Sequence, residues 1–178
     1  LLLSKIVHVA AEQCVQEQRM TDAILLFNYA QERDTVMSVL NRELGALLME
    51  PADLSDWTAP LQEGTLPLTS STHIVLLARA VLANYEQQGH TSGQMDVCRT
   101  LLGLKQAASL HRSEQLTSAL QVLESLHVLP LDTESRKDVV SITRKAESFK
   151  LYDDSITMNF SDIVLMAMNL LYKLHQSL

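Results

Sequence analysis

The sequence predicts an all-α fold, an irregular α-helical solenoid of antiparallel helix pairs with about eight helices. Three observations predict it. Apolar residues recur at spacings of three and four through most of the 178 residues, and no segment alternates like a strand between turn signals. Gly (5) and Pro (4) are too scarce for a turn-rich β fold. Residues 19–48 read as a complete helical hairpin, two short helices around an acidic turn, which must bury a face on each flank against neighbours.

The elements follow in order. A first helix over residues 2–18 places Leu3, Ile6, Ala10 and Cys14 on its inward side. The second aligns Ala23, Leu26, Phe27 and Ala30, and the third Val36, Val39, Leu40, Leu44, Leu47 and Leu48, with Thr21 and Asp34 as candidate caps. A fourth follows the Thr/Ser cluster at residues 69–72, carries Ile74, Leu77, Ala78, Val81, Leu82 and Tyr85, and stops at Gly89. Thr91 and Gln94 have capping-box spacing ahead of a fifth helix striped by Val97, Leu101, Leu104 and Ala108. Ser113 opens a sixth with Leu116, Ala119, Leu120 and Leu123 inward, broken at Pro130. Val139, Ile142, Ala146 and Phe149 mark a seventh, with Asp153 and Asp154 in the turn that ends it. Ser161 caps an eighth, whose inward stripe is Ile163, Met166, Ala167, Leu170, Leu171 and Leu174. Residues 50–68 form the one long connection. They hold three of the four prolines and the single Trp57, which either pins that loop to the helices or meets a partner.

Residues 1–178 form one unit, a section of a helical solenoid. The opening three leucines lack the basic start of a signal peptide, and the chain reads as a section of something longer. Neither apolar stretch, residues 74–83 or 163–174, reaches the ~20 residues of a membrane span, so no direct membrane span is expected. A formal charge of −7, with Arg136, Lys137, Arg144, Lys145 and Lys150 interrupted by acidic residues, argues against nucleic acid as a partner. Cys14 and Cys98 stand apart at core spacing and read as reduced, buried thiols.

The sequence excludes more chemistry than it supports. No glycine stands in a phosphate-cradling frame, and the six histidines show no metal-ligand spacing. Asp153 and Asp154 are followed by no alternation of oxygen ligands. Asn159-Phe160-Ser161 is formally a glycosylation sequon, although Ser161 serves more simply as a cap. No catalytic, cofactor-binding or metal residue is predicted. The last helix has a second apolar line, Leu165, Met168 and Tyr172, and a helix apolar on both sides is normally sandwiched. With Trp57 these are the candidate partner-binding residues.

Two regions carry a resemblance. AEQCVQEQRMTDAILLFNYAQERDTVMSVLNREL is similar to a hairpin in scaffold proteins of the nuclear pore. QLTSALQVLESLHVLPLDTES followed by VLMAMNLLYKLHQ, with the stop Leu129-Pro130-Leu131 and the core Met168–Leu171, resembles the C-terminal section of the nucleoporin-interacting-component family. These are the linker scaffold nucleoporins of the inner ring. The resemblance runs in order over most of the chain and leaves residues 50–68 unmatched. It implies a bent, non-enzymatic helical solenoid in the nuclear pore complex at the nuclear envelope, supporting protein and mRNA transport. It also implies other nucleoporins as partners, including a short segment of a membrane-associated inner-ring nucleoporin. The alternatives are a vesicle-coat or tethering solenoid subunit, which shares the Ala-x-x-Leu-Phe hairpin style, or an enzyme with an unrecognised site.

Overall fold

The structure, a computed structural model, describes residues 2–51, 70–129 and 153–177. These residues hold eight helices and no strand: α1 Leu2–Gln16, α2 Met20–Tyr29, α3 Arg33–Ala46, α4 Ser70–Gln87, α5 Gly93–Arg112, α6 Leu116–Leu126, α7 Asp154–Thr157 and α8 Phe160–Gln176. The expected helix over residues 139–149, and residues 52–68 of the long loop with Trp57, lie outside the described residues. The four-residue α7 was not foreseen. Asp153 precedes it and Asp154 is its first residue, and the Asp153 carboxylate accepts the Ser155 N–H at its N-terminus.

Each helix packs on its sequence neighbour through α6, and α8 returns onto α5 and α6. The end of α4 meets the start of α3, with the Arg33 guanidinium 5.9 Å from the Tyr85 ring centre and His90 Nε2 3.2 Å from Asp34 Oδ1. Those two helices are therefore antiparallel. Along the α3–α5 seam, Asn41 donates to Gln94 while Lys105 Nζ donates to Leu47 O and Glu50 O. Moving from Asn41 to Leu47 and Glu50 on one side matches moving from Gln94 to Lys105 on the other, so α3 and α5 run in the same direction. Parallel second neighbours between antiparallel first neighbours are the stacking rule of a solenoid.

α3 and α5 are the central helices. Besides the predicted stripe, α3 buries Met37, Asn41 and Gly45, and α5 buries Met95, Cys98, Lys105 and Ala107. Sequence periodicity shows one apolar face on each, and the second mixes methionine, cysteine and alanine with Asn41, Gly45 and Lys105. Gly45 lets the α7 backbone approach: a Cβ there would lie 2.6 Å from Ser155 O. Lys105 donates to two carbonyls just past the end of α3, a cap delivered from another helix.

Three connections repeat one turn. Gln18, Gln31 and Glu114 take φ of 60, 62 and 58°, and the following residues, Arg19, Glu32 and Gln115, sit at φ −90, −89 and −85° before the next helix starts. Each turn carries the paired bonds of a Schellman motif, for instance Glu32 N–H to Phe27 O and Gln31 N–H to Asn28 O, both at 3.0 Å. Gly89, at φ 73°, ends α4 the same way, as its sequence position predicts.

Several local expectations are corrected. Thr21 and Asp34 do not cap, since Arg19 and Glu32 occupy the N-cap positions without a side-chain capping bond, and Asp34 faces His90 instead. The cap of α5 is Ser92, whose hydroxyl accepts from the Met95 N–H, not Thr91. Ser113 closes α5 rather than opening α6, and Asn159 rather than Ser161 precedes α8. Asn159 Nδ2 donates to Gly45 O at 2.7 Å, which ties the sequon asparagine into the α3–α7 junction. On α1 the inward face is Ala11 and Cys14, while Leu3 and Ile6 are exposed and Ala10 points outward. The stripe was real, but two apolar lines compete on that helix and packing chose the one with small side chains. Cys14 and Cys98 are buried free thiols.

Candidate partner-binding face

α8 is placed by its inward side. Ile163, Val164, Met166, Ala167 and Leu170 are buried, while Leu171 and Leu174 pack partly against the core. Polar contacts at its C-terminal half fix its rotation. His111 Nε2 lies 3.3 Å from Asn169 Oδ1, and Lys173 Nζ donates to Glu114 Oε1 at 3.0 Å. Held this way, α8 turns the second apolar line outward. Leu165 is 62% exposed and Tyr172 63%, whereas Met168 between them is half-buried and packs on the core. The line covers two turns, about 10 Å. The Tyr172 hydroxyl accepts from Gln176 Nε2 at 2.7 Å, leaving the ring face open.

The structure thus brings Leu165 and Tyr172 together as exposed residues and assigns Met168 partly to the core. Trp57 lies outside the described residues. Sequence reasoning missed further exposed apolar side chains, Leu2, Leu3, Ile6 and Val9 on α1 and Leu25 and Tyr29 on α2. The signal was present as the Leu2, Ile6, Val9 spacing, but spacing does not say which apolar line faces the core.

Titratable groups are used for structure. Among the described residues no three His, Cys, Asp or Glu side chains group as metal ligands, and no helix is long and apolar enough to cross a membrane. Burial pushes the Cys98 thiol up to about 12, which keeps it protonated and unreactive near neutrality. Burial raises the Tyr85 phenol too, and its hydroxyl donates to Asn28 Oδ1 at 2.7 Å. The hydrogen bond from His90, then that from Ser92, holds the Asp34 carboxyl below its ordinary range.

Comparison with known proteins agrees with this architecture. The Nup93/Nic96 family profile matches residues 2–178. The chain is 28% identical to the nucleoporin NIC96 of Saccharomyces cerevisiae, over 98% of this chain and 21% of that protein. It is 26% identical to the meiotically up-regulated gene 87 protein of Schizosaccharomyces pombe, over 97% and 20%. Nuclear pore complex protein Nup93 of Danio rerio is 20% identical, over 97% and 19%. The chain therefore spans about a fifth of the length of the curated relatives it matches. A crystal structure of Chaetomium thermophilum Nic96 SOL superposes with a TM-score of 0.76 at 21% identity, covering 98% of this chain and 27% of that one, which supports the solenoid fold. With the family profile matched along nearly its whole length, the chain belongs to the Nup93/Nic96 family of structural, non-enzymatic nucleoporins.

Proposed function

We propose that this chain acts as a scaffold section of the nuclear pore complex inner ring at the nuclear envelope. It holds other nucleoporins by protein–protein contact and so supports nucleocytoplasmic transport of protein and mRNA. Its family membership supports the role and weighs against a coat or tethering subunit. The outward line of α8 receives a short apolar segment of a membrane-associated inner-ring nucleoporin. The observation that carries this reading is the exposure of Leu165 and Tyr172 on a helix whose opposite side is already buried. Burying two such side chains contributes roughly 1.5–3 kcal/mol each, the scale of a hot spot in a peptide interface. Met168 supplies the floor between them.

The test is binding of fluorescent peptides from that partner to the chain, measured by anisotropy. Leu165→Glu with Tyr172→Glu should weaken binding at least tenfold while the melting transition stays in place. Unchanged affinity in the folded double variant would remove α8 as the docking face.

A further inference from the structure

Near the middle of α1, the His8 ring faces a carboxylate at each nitrogen. Nδ1 lies 2.8 and 2.9 Å from the two oxygens of Glu32, the residue that opens α3. Nε2 lies 3.1 Å from Glu12, one turn along α1. A neutral imidazole has one N–H, so it can donate to only one of these groups and must turn a lone pair toward the other. Only the imidazolium satisfies both. From α2, the Phe27 ring meets the imidazole edge-on at 5.7 Å, so the facing groups are Glu12 from α1, Phe27 from α2 and Glu32 from the α2–α3 turn.

The position matters because α1 docks on α2 largely through small side chains. It buries Ala11 and Cys14, with Val15 partly buried against the core, while Leu2, Leu3, Ile6 and Val9 are exposed. The bridge from His8 to Glu32 is a polar tie that reaches past α2 to the start of α3.

We propose that His8 is a protonation-dependent clasp that seats α1 on the α2–α3 turn as an imidazolium and gives up one of its two bridges when it loses a proton. The hydrogen bond to Glu32 raises the His8 pKa above the ordinary 6.5, Coulombic attraction to Glu32 and Glu12 adds to it, and desolvation opposes it. For a group raised in the folded state, the added stability is full below pH 6.5 and is lost as pH rises through the folded pKa. The clasp is thus closed below pH 6.5 and loosens as pH rises through the higher folded-state pKa.

The test follows the imidazole nitrogens of the full 178-residue chain by NMR against pH, with hydrogen exchange of α1 amides corrected for intrinsic rate. The His8 midpoint should lie above 6.5 and fall toward it in Glu32→Gln. Opening of α1 should rise at least threefold between pH 6 and 8 and be pH-independent in His8→Gln, with α5 amides unchanged in both. A midpoint at or below 6.5 overturns the proposal. So does an α1 pH profile that persists in the folded His8→Gln chain.

Discussion

Replacing Gly45 with alanine tests the junction that seats α7 against the central helix. Gly45 lies in the last turn of α3, and an added Cβ would meet Ser155 O at 2.6 Å and Ser155 Cα at 3.1 Å. These are backbone atoms, so α7 has to move as a unit. Its movement would also pull Asn159 Nδ2 from Gly45 O. Against this, alanine favours helix over glycine by about 1 kcal/mol. Overpacking of this kind costs about 1–3 kcal/mol, and the loss of the buried hydrogen bond about 1 kcal/mol more. The balance is a destabilisation of about 1–3 kcal/mol, read from urea denaturation. Gly93 is the control, because an added Cβ there has nothing within 4 Å, and Gly93→Ala should stabilise by about 0.4–1 kcal/mol. If Gly45→Ala were as stable as Gly93→Ala, α7 would not sit where the structure places it.

Phe27→Ala should cost about 3–5 kcal/mol in the same assay, because its side chain is 3% exposed and its removal leaves a cavity under α1. Gln31→Gly should stabilise by about 0.5–1 kcal/mol, since φ of 62° suits glycine and strains glutamine; a loss would mean that the glutamine side chain supports the turn. Burial, helped by Arg112 and opposed by Glu50, pushes Lys105 down to about 8. An unfolded lysine titrates near 10.5, so between pH 8 and 10.5 the unfolded chain holds a proton that the folded chain has released. Lys105 should therefore add stability with rising pH through that window, by at most about 3 kcal/mol relative to Lys105→Met, while the Cys98 thiol, pushed up by burial, acts in the opposite sense above pH 9 in both proteins. Equal pH dependence in both proteins would show that Lys105 does not titrate there. The neutral amine keeps two N–H groups, enough for Leu47 O and Glu50 O.

Among the described residues, the long helices and their order were legible in the sequence because periodicity at three and four survives wherever one face is buried. Phe27, Leu40, Leu101 and Leu170 are all in the core as the stripes require. Rotation was less legible where two apolar lines share a helix, as on α1. Turn chemistry was hidden because the left-handed positions hold Gln18, Gln31 and Glu114, which carry no glycine or asparagine signal. Lys105 and Asn41 were invisible as core residues because their burial depends on carbonyls and an amide brought from another helix. The outward line of α8 was readable down to Leu165 and Tyr172, whereas Met168 falls partly inward, since a third line between two faces goes wherever the neighbour's shape leaves room.

The most direct test of the central claim is to tag the endogenous protein that carries this chain, image it in living cells and identify what co-isolates with it. Scaffold membership predicts a punctate nuclear rim and co-isolation with other nucleoporins. Signal on Golgi or vesicle membranes, with coat subunits in place of nucleoporins, would contradict it.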